Sequence, residues 1–547
     1  MRGPTPGTND VDVLVVGGGP VGLTLALELG RQGVRTRLID KRPAPGKLPK
    51  MERCNARTME NYRRLGIADR IRAAGLAGDV PMDVFICWGD LTNPPLVHHE
   101  YPSVSAMQGT VADSHDGTLP AEPYQLISQY TLEPLLMEVL GETDGVEVVP
   151  ACELVSFEEV DGGVVATVDH RGVEEQIRAS YLVGCDGGSS VVRRRLGIEL
   201  RGESLLQMRQ ALFYSEDLFE RIPIGKGRHY HFADQEHSFL IVQDDKKHFS
   251  LHARVETDEE MPALFERILG FDVDYETLYV GTWQQRLMVA DAYRSGRVLM
   301  AGDAVHLVIP TGGLGMNTGA GDAVDLAWKL AGTVHGWGGP GLLDSYEAER
   351  RPIGLRNVAA SRKAASGRRT WRAEWTPEIA ERSEAGDRAR ARLAEVADRE
   401  QRWSNDLYGI ELGYRYDGSP LIVPEDGGDQ QPPDANSFQY TPTTWPGARL
   451  PHVWAEPGVA VQDLVGKEYA LLRVGAATGV DAAPFAAAYG EFGAPFSVVD
   501  LTGEDARAVY GEGLLLVRPD LHVAWRGPSL PDDVGTVVRR SLGRAER

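Results

Sequence analysis

Apolar and polar positions follow two rhythms along this chain, and the places where the rhythm changes mark its elements. Val11 to Val16 is apolar apart from Asp12, enough for one buried strand, and Leu23 to Leu29 then carries helical spacing. A second strand is predicted over Thr36 to Ile39, ending at Asp40, with a helix from Ala56 to Arg72 after it. The polar, proline-marked stretch from Asn93 to Pro123 reads as loop or edge strand. Leu126 to Leu140 returns to helical spacing, and much of Val146 to Val168 alternates in period two, as a small antiparallel meander does. Short strands over Arg228 to Phe232, Ser238 to Val242 and His248 to Val255, divided by polar turns, predict an antiparallel sheet. Residues 342–410 are mostly helical and highly charged and read as a solvated arm or an interdomain helix. A proline-rich connector from Pro424 to Pro433 leads to a separate α/β unit, with strands at Tyr469 to Arg473, Phe496 to Asp500, Leu514 to Arg518 and Val523 to Trp525.

Three junctions between these elements carry chemistry. After the first strand come Gly17-Gly18-Gly19-Pro20-Val21-Gly22, and a helix follows. That is the dinucleotide fingerprint: Gly17 for the tight turn, Gly19 for close approach of the backbone to pyrophosphate, Gly22 for helix–strand packing. Val21 lies inside it. Asp40 suits a free ribose 2′-hydroxyl, which favours FAD or NAD over NADP at this site, and Lys41 beside it is a further cofactor-binding candidate. A second match, Gly336 to Gly341, has no strand before it and reads as a helix–helix loop.

The second junction is Tyr181 to Gly187, a strand ending in Asp186-Gly187, followed by Ser190 and Arg193. The third is the Val298 to Met300 strand running into Gly302-Asp303, a loop through Pro310, and a long helix beginning near Gly315-Met316-Asn317. A carboxylate, close-approach glycines and a helix N-terminus suit an anionic ring system, with about 0.3–2 kcal/mol available from the helix dipole.

With these three motifs in order, the chain resembles the flavoprotein aromatic hydroxylases, single-component FAD monooxygenases of the p-hydroxybenzoate hydroxylase type, over residues 10–365. The likeness extends more loosely to the C-terminus, where Tyr440 to Trp454 looks like the larger phenol and polyketide hydroxylases. The resemblance implies an α/β fold: a Rossmann-like FAD-binding domain, an antiparallel-sheet substrate domain roofing the cofactor, and a C-terminal thioredoxin-like domain. The boundaries expected are 1–78, 106–202 and 285–365 for the first, 79–105 and 203–284 for the second, 366–412 for a helical linker and 413–547 for the last.

The resemblance also implies hydroxylation of a phenolic ring with NADPH or NADH and O2 through a flavin C4a-hydroperoxide. Asp303 would hold the ribityl chain, Pro310 would sit beside the flavin ring with its carbonyl toward substrate, and Gln129 would touch FAD. Asp186 would lie near the pyrophosphate and the nicotinamide path, supported by Arg193 unless that arginine is simply a surface residue. Relatives often carry arginine where Lys50 stands, and lysine lacks the planar fork for a bidentate grip. His252 and Pro310 are the candidates nearest the chemistry. Tyr230, Phe232 and Phe239 either line an aromatic-binding cavity or form sheet core. His229 and His231 share a sheet face, and without cysteine or ordered carboxylates nearby they argue against a metal centre. The roof histidines suit pocket polarity or deprotonation of a phenol instead. Two alternatives keep the flavin: modification or inactivation of a polycyclic natural product or antibiotic, and a non-catalytic flavin-binding regulator.

Composition narrows the picture. At 547 residues two or three domains are expected, and a formal net charge of −22 opposes nucleic acid as partner. No apolar stretch approaches a membrane span, and residues 1–10 read as a disordered lead-in. Four cysteines without metal spacing predict reduced thiols in a cytoplasm. None follows Cys185, so the C-terminal unit cannot run dithiol exchange and serves packing or a homodimer contact.

Overall fold

The computed structural model describes residues 9–425, 432–434 and 436–544. Most of the expected lead-in and much of the Pro424 to Pro433 connector lie outside the described residues.

Val11–Val16 is the central strand of the nucleotide sheet. It runs parallel to Thr36–Asp40 on one side and to the end of Val173–Gly184 on the other, with Val146–Pro150 and Val298–Met300 beyond them. Val13, Leu14 and Val15 are wholly buried, which is why this strand reads as a continuous apolar run rather than an alternation. Val173–Gly184 changes partners along its length. Its first half pairs antiparallel with Gly163–His170, which pairs in turn with Cys152–Val160. Over this sheet pack the helices Pro20–Arg31 and Leu314–Val334.

Of the antiparallel meander expected from Val146, the first strand, Val146–Pro150, instead pairs parallel with Thr36–Asp40, and two further segments depart from the pattern predicted for them. The single helix expected over Ala56 to Arg72 is two, Ala56–Arg64 and Ala68–Ala74, broken where Gly66 takes φ +75°. The stretch expected as loop or edge strand holds a Val97–His99 strand and a Val104–Ala112 helix, which Ser103 caps by accepting from the Ala106 N–H.

The second sheet has eight strands in the order His306–Leu307, Glu276–Ala290, Leu200–Tyr214, His248–Ala253, Phe239–Val242, His229–Phe232, Val84–Cys87, Val97–His99. Its pairings align Gly281, Gln210, His252, Phe239 and His231 in one cross-strand row. Residues in such a row share a face and their side chains meet. The opposite face, including Tyr230, Phe232, Leu240, Val242 and Leu251, forms a separate apolar core.

Of the two readings of the charged region after it, the first part follows the interdomain helix and not the solvated arm. Pro340–Arg372 is one helix, and several of its charged residues turn inward to partners. Buried Glu349 accepts from Lys329 Nζ at 2.6 Å and from Arg518 Nη1 at 2.6 Å, and Arg350 Nε donates to Asp322 at 2.8 Å. Arg518 belongs to the C-terminal unit and also contacts Asp325 and Asp520, so a buried ionic cluster joins that unit to the nucleotide domain. A second such joint pairs Glu60 with Arg449 and Arg57.

The C-terminal unit is a four-stranded sheet in the order Phe496–Leu501, Tyr469–Val474, Gly513–Val517, Val523–Gly527, with the first pair parallel and the rest antiparallel. This matches the thioredoxin-like fold the resemblance implied. All four cysteines are free and buried outside it. Among the described residues, no helix is long and apolar enough to cross a membrane.

Candidate functional site

The glycine turn after the first strand has the tight geometry its spacing predicts at Gly17 and Gly22. Gly17 takes φ +113°, and a side chain there would run into the Cys185 carbonyl; one on Gly22 would run into the Gly17 carbonyl. Gly19 differs. A methyl there would meet nothing nearer than Glu133 Oε1 at 4.0 Å, so the backbone is open to a large ligand just where the Pro20–Arg31 helix presents unpaired N–H groups. Asp40 secures the turn by accepting from the Gly18 N–H at 2.5 Å and the Arg42 N–H at 2.7 Å. Glu133 is buried beneath, accepting from Gln129 Nε2 at 2.6 Å, Gly46 N–H at 3.1 Å and Arg42 Nη1 at 3.2 Å.

Asp186 Oδ2 accepts from the N–H groups of Val191 and Val192 at 2.6 and 3.1 Å, while Oδ1 is buried without a partner. Arg193 is a buried clamp, not a surface residue: it donates to the Ala304 carbonyl at 2.9 Å and the Gly188 carbonyl at 3.1 Å, tying the Asp186 loop to the Asp303 loop. Gly302, at φ +64°, donates its N–H to Asp322 Oδ2 at 3.1 Å. Burial pushes the Asp303 carboxyl above the usual range, opposed by His306 and Lys50.

The loop ahead of the Leu314–Val334 helix is held from three directions. Arg53 Nη2 donates to the Gly312 carbonyl and to Glu411, both at 2.9 Å. Ser361 Oγ lies 3.1 Å from the carbonyls of Ile309 and Thr311. Asn317 accepts from the Asn55 N–H at 2.8 Å and donates to the Gly313 carbonyl at 2.7 Å, so its side chain stitches the helix tip to its neighbours. The Pro310 carbonyl, expected to face substrate, accepts from the Gly313 N–H at 2.8 Å.

These segments meet around one cavity of about 780 Å³. Gly17, Gly19, Val21, Asp40, Lys41, Lys50, Gln129, Asp186, Asp303, Pro310, Gly315, Met316 and Asn317 all line it. Gly22 and Gly302 do not; they lie behind the lining, where any side chain would crowd the Gly17 carbonyl or Val21. Sheet parity decides the roof. Phe239 and His252 face the cavity, while Tyr230 and Phe232 point into the opposite core, where Tyr230 stacks on Phe85 at 5.1 Å. Phe239 and His252 stack at 4.7 Å with 3° between their planes, and Trp283 meets His252 edge-on. Burial pushes His252 down to about 3, so its imidazole is neutral at pH 7 and offers hydrogen bonds rather than strong base strength. His229 Nε2 lies 2.7 Å from Glu52. Burial alone would raise the Glu52 carboxyl, but His229, Arg228 and Arg53 together hold it far below its usual range. Among the described residues no cluster of three or more ligands could hold a metal.

Several lining residues escape the sequence reading: Trp283, Glu133, Arg42, Arg53, and Arg368, Arg369 and Arg372 at the end of the long helix. Only strand alternation points toward Trp283. The arginines give no signal apart from charge.

Residues 10–361, more than half the chain, match the FAD binding domain family, and 443–545 match the aromatic-ring hydroxylase C-terminal family. The chain is 31% identical to the FAD-dependent monooxygenase apdD of Emericella nidulans, over 99% of this chain and 91% of that one. It is 34% identical to a putative polyketide hydroxylase of Streptomyces halstedii, over 94% and 93%. The solved structure of the rebeccamycin biosynthetic enzyme RebC with reduced flavin superposes with a TM-score of 0.88 at 32% identity, covering 98% of this chain and 99% of that one. Gly19's open cradle and the unpartnered Asp186 Oδ1 fit a dinucleotide laid along the cavity. The chain belongs to the FAD-dependent aromatic-ring hydroxylases, monooxygenases that draw on FAD, NAD(P)H and O2.

Proposed function

We propose that this enzyme hydroxylates a flat, multi-ring phenolic substrate. The observation that carries the reading is the wall of Phe239, His252 and Trp283 in the same cavity as the Pro310–Asn317 loop and helix tip. Stacked and edge-on rings of this kind receive a planar aromatic guest.

Asp40 would hold the adenosine end of FAD, Gly17, Gly19 and the first turn of the Pro20–Arg31 helix its pyrophosphate, Asp303 the ribityl chain with Asp186 nearby, and the Leu314–Val334 helix tip the edge of the flavin ring. Bound there, FAD supplies hydride acceptance from NAD(P)H and delivery of one oxygen atom to the ring. The protein's share is positioning. Neutral His252 orients the phenol hydroxyl, Phe239 and Trp283 fix the ring plane, and the roof keeps water from the reacting edge.

The test is NADPH oxidation by the FAD-loaded protein over phenols of one to four rings, with product masses. The reading requires faster oxidation and a product heavier by one oxygen atom with a polycyclic phenol. If phenol itself is preferred, or no phenol accelerates oxidation, the reading is wrong.

A further inference from the structure

The roof end of the cavity carries a charge that the reaction does not explain. Arg368, Arg369 and Arg372 leave the last turns of the Pro340–Arg372 helix and line it. None of the three is ion-paired among the described residues. Arg368 Nε donates to the neutral Ser404 Oγ at 3.2 Å, and Arg372 Nε and Nη2 are buried with no hydrogen-bond partner among the described residues.

A buried guanidinium nitrogen without an acceptor is costly and needs explaining. Each nearby carboxylate has a hydrogen-bond partner of its own, and Asp234 attracts Arg372 from beyond ion-pair distance. Glu52 is taken by His229, and Glu236 by Arg267 at 3.0 Å. Asp234 accepts from the Ser238 N–H at 2.9 Å and from its hydroxyl. The other titratable neighbours are Arg228, His229, His231 and His237, all neutral or cationic. Burial and the Arg372 charge push Arg368 down to about 9 against the attraction of Glu52, and burial pushes Arg372 down to about 10 against the attraction of Asp234. All this stands in a chain whose formal charge is −22, so the patch opposes the global field.

The cations also join the aromatic wall. The Arg368 guanidinium lies 5.5 Å from the centre of the Phe239 ring, and Phe239 stacks on His252. A planar guest lying against Phe239 and His252 would therefore meet the arginines at one end.

We infer that the substrate is an aromatic acid: a ring system bearing a carboxylate that Arg372 and Arg368 grip. Arginine's planar fork matches a carboxylate, and a neutral substrate would leave both Arg372 nitrogens unsatisfied. This inference rests on reading the cavity as the hydroxylation site and deepens it by naming the substrate's charge.

The experiment uses FAD-loaded enzyme and flavin-absorbance titration with matched pairs of one to four rings, each phenolic carboxylic acid against the same phenol without the acid group. An example is 1-hydroxy-2-naphthoate against 1-naphthol. At least one acid should bind tenfold or more tighter than its neutral partner. In Arg372→Met that ratio should fall to near unity, and Arg372→Lys should restore part of it. Arg368→Met, removing the second cation, should reduce the ratio as well, which keeps the test alive if one variant folds poorly.

The inference is overturned if no acid outbinds its neutral partner, or if the ratio survives in both methionine variants. It is also overturned if those variants raise KM for NADPH and leave the acid preference intact, because the arginines would then serve the reductant's phosphates. Failure of the hydroxylase reading itself shows separately, as no phenol of any charge accelerating NADPH oxidation in the unaltered enzyme.

Discussion

Asp322 is the residue on which the Gly302-Asp303 loop hangs. Its fully buried carboxylate accepts from the Gly302 N–H at 3.1 Å and from Nε of Arg350 at 2.8 Å, and lies 2.8 Å from Nε2 of His306. Asp322→Asn keeps the shape but leaves one acceptor oxygen and an NH2 group to face three neighbours. It also strips the carboxylate from buried Arg350. Breaking a buried pair by removing one partner costs about 3–5 kcal/mol, mostly from the charge left behind. If even the lower figure falls on the conformation that receives FAD, affinity drops about 100-fold, at about 1.4 kcal/mol per factor of ten. The assay is fluorescence titration of apoenzyme with FAD, alongside urea unfolding. A double change, Asp322→Leu with Arg350→Met, separates the two effects. It removes the orphaned charge and should recover stability, yet it still denies Gly302 its acceptor and should not recover FAD affinity. An Asp322→Asn enzyme that binds FAD within twofold of the unaltered protein, with an unchanged unfolding midpoint, refutes the reasoning.

The same geometry bears on the glycine turn, the Arg193 clamp and the joints to the C-terminal unit. Gly19→Ala should fold normally, because a methyl there meets only Glu133 at 4.0 Å, yet bind FAD more weakly. Gly22→Ala, crowding the Gly17 carbonyl, should lose stability as well, and thermal melts with flavin content distinguish the pair. Arg193→Met severs the clamp to Ala304 and Gly188, each hydrogen bond worth about 1.5–3 kcal/mol, and should speed FAD dissociation in stopped-flow dilution; an unchanged off-rate contradicts the clamp. The two joints should be acid-labile: burial alone would raise Glu349 and Glu60, but Arg518 with Lys329, and Arg449 with Arg57, hold both down to about 2 from an ordinary 4.5. A carboxylate depressed in the folded state stabilises fully above its unfolded value, and that stability is lost as pH falls from 4.5 toward 2. Urea midpoints should therefore drop across that window, and Arg518→Met should lower the midpoint already at pH 7, through about 3–5 kcal/mol of lost stability. A flat acid profile contradicts the joints.

How far the sequence discloses this molecule depends on the range of the interactions involved. The Val11–Val16 strand, its glycine turn and the Val298–Met300 strand with its loop are legible because each is a local pattern of apolar run, glycine and helix start. The roof strands are legible as strands, but not which face of each meets the cavity. Tyr230 and Phe239 look alike in sequence, and only the pairing of His231 with Phe239 and of Phe239 with His252 puts one in the lining and the other in the core. Charge is the least legible property. Glu349 and Arg350 give no sign in sequence of being buried, because what answers them, Asp322, Lys329 and Arg518, sits on other elements. Asn317 and Pro310 line the cavity, but their polar atoms are occupied by neighbouring backbone, a detail that spacing does not encode.

The central claim is that the Gly17, Asp186 and Asp303 loops and the Leu314–Val334 helix tip enclose one FAD, with the Phe239–His252–Trp283 wall in the same chamber. A crystal structure of the protein loaded with FAD tests it most directly. The account predicts the cofactor extended from Asp40 past Asp186 and Asp303, its ring system at the helix tip and one face open to Phe239 and Trp283. A flavin ring found outside this chamber, or walled off from Phe239 and Trp283, would contradict it.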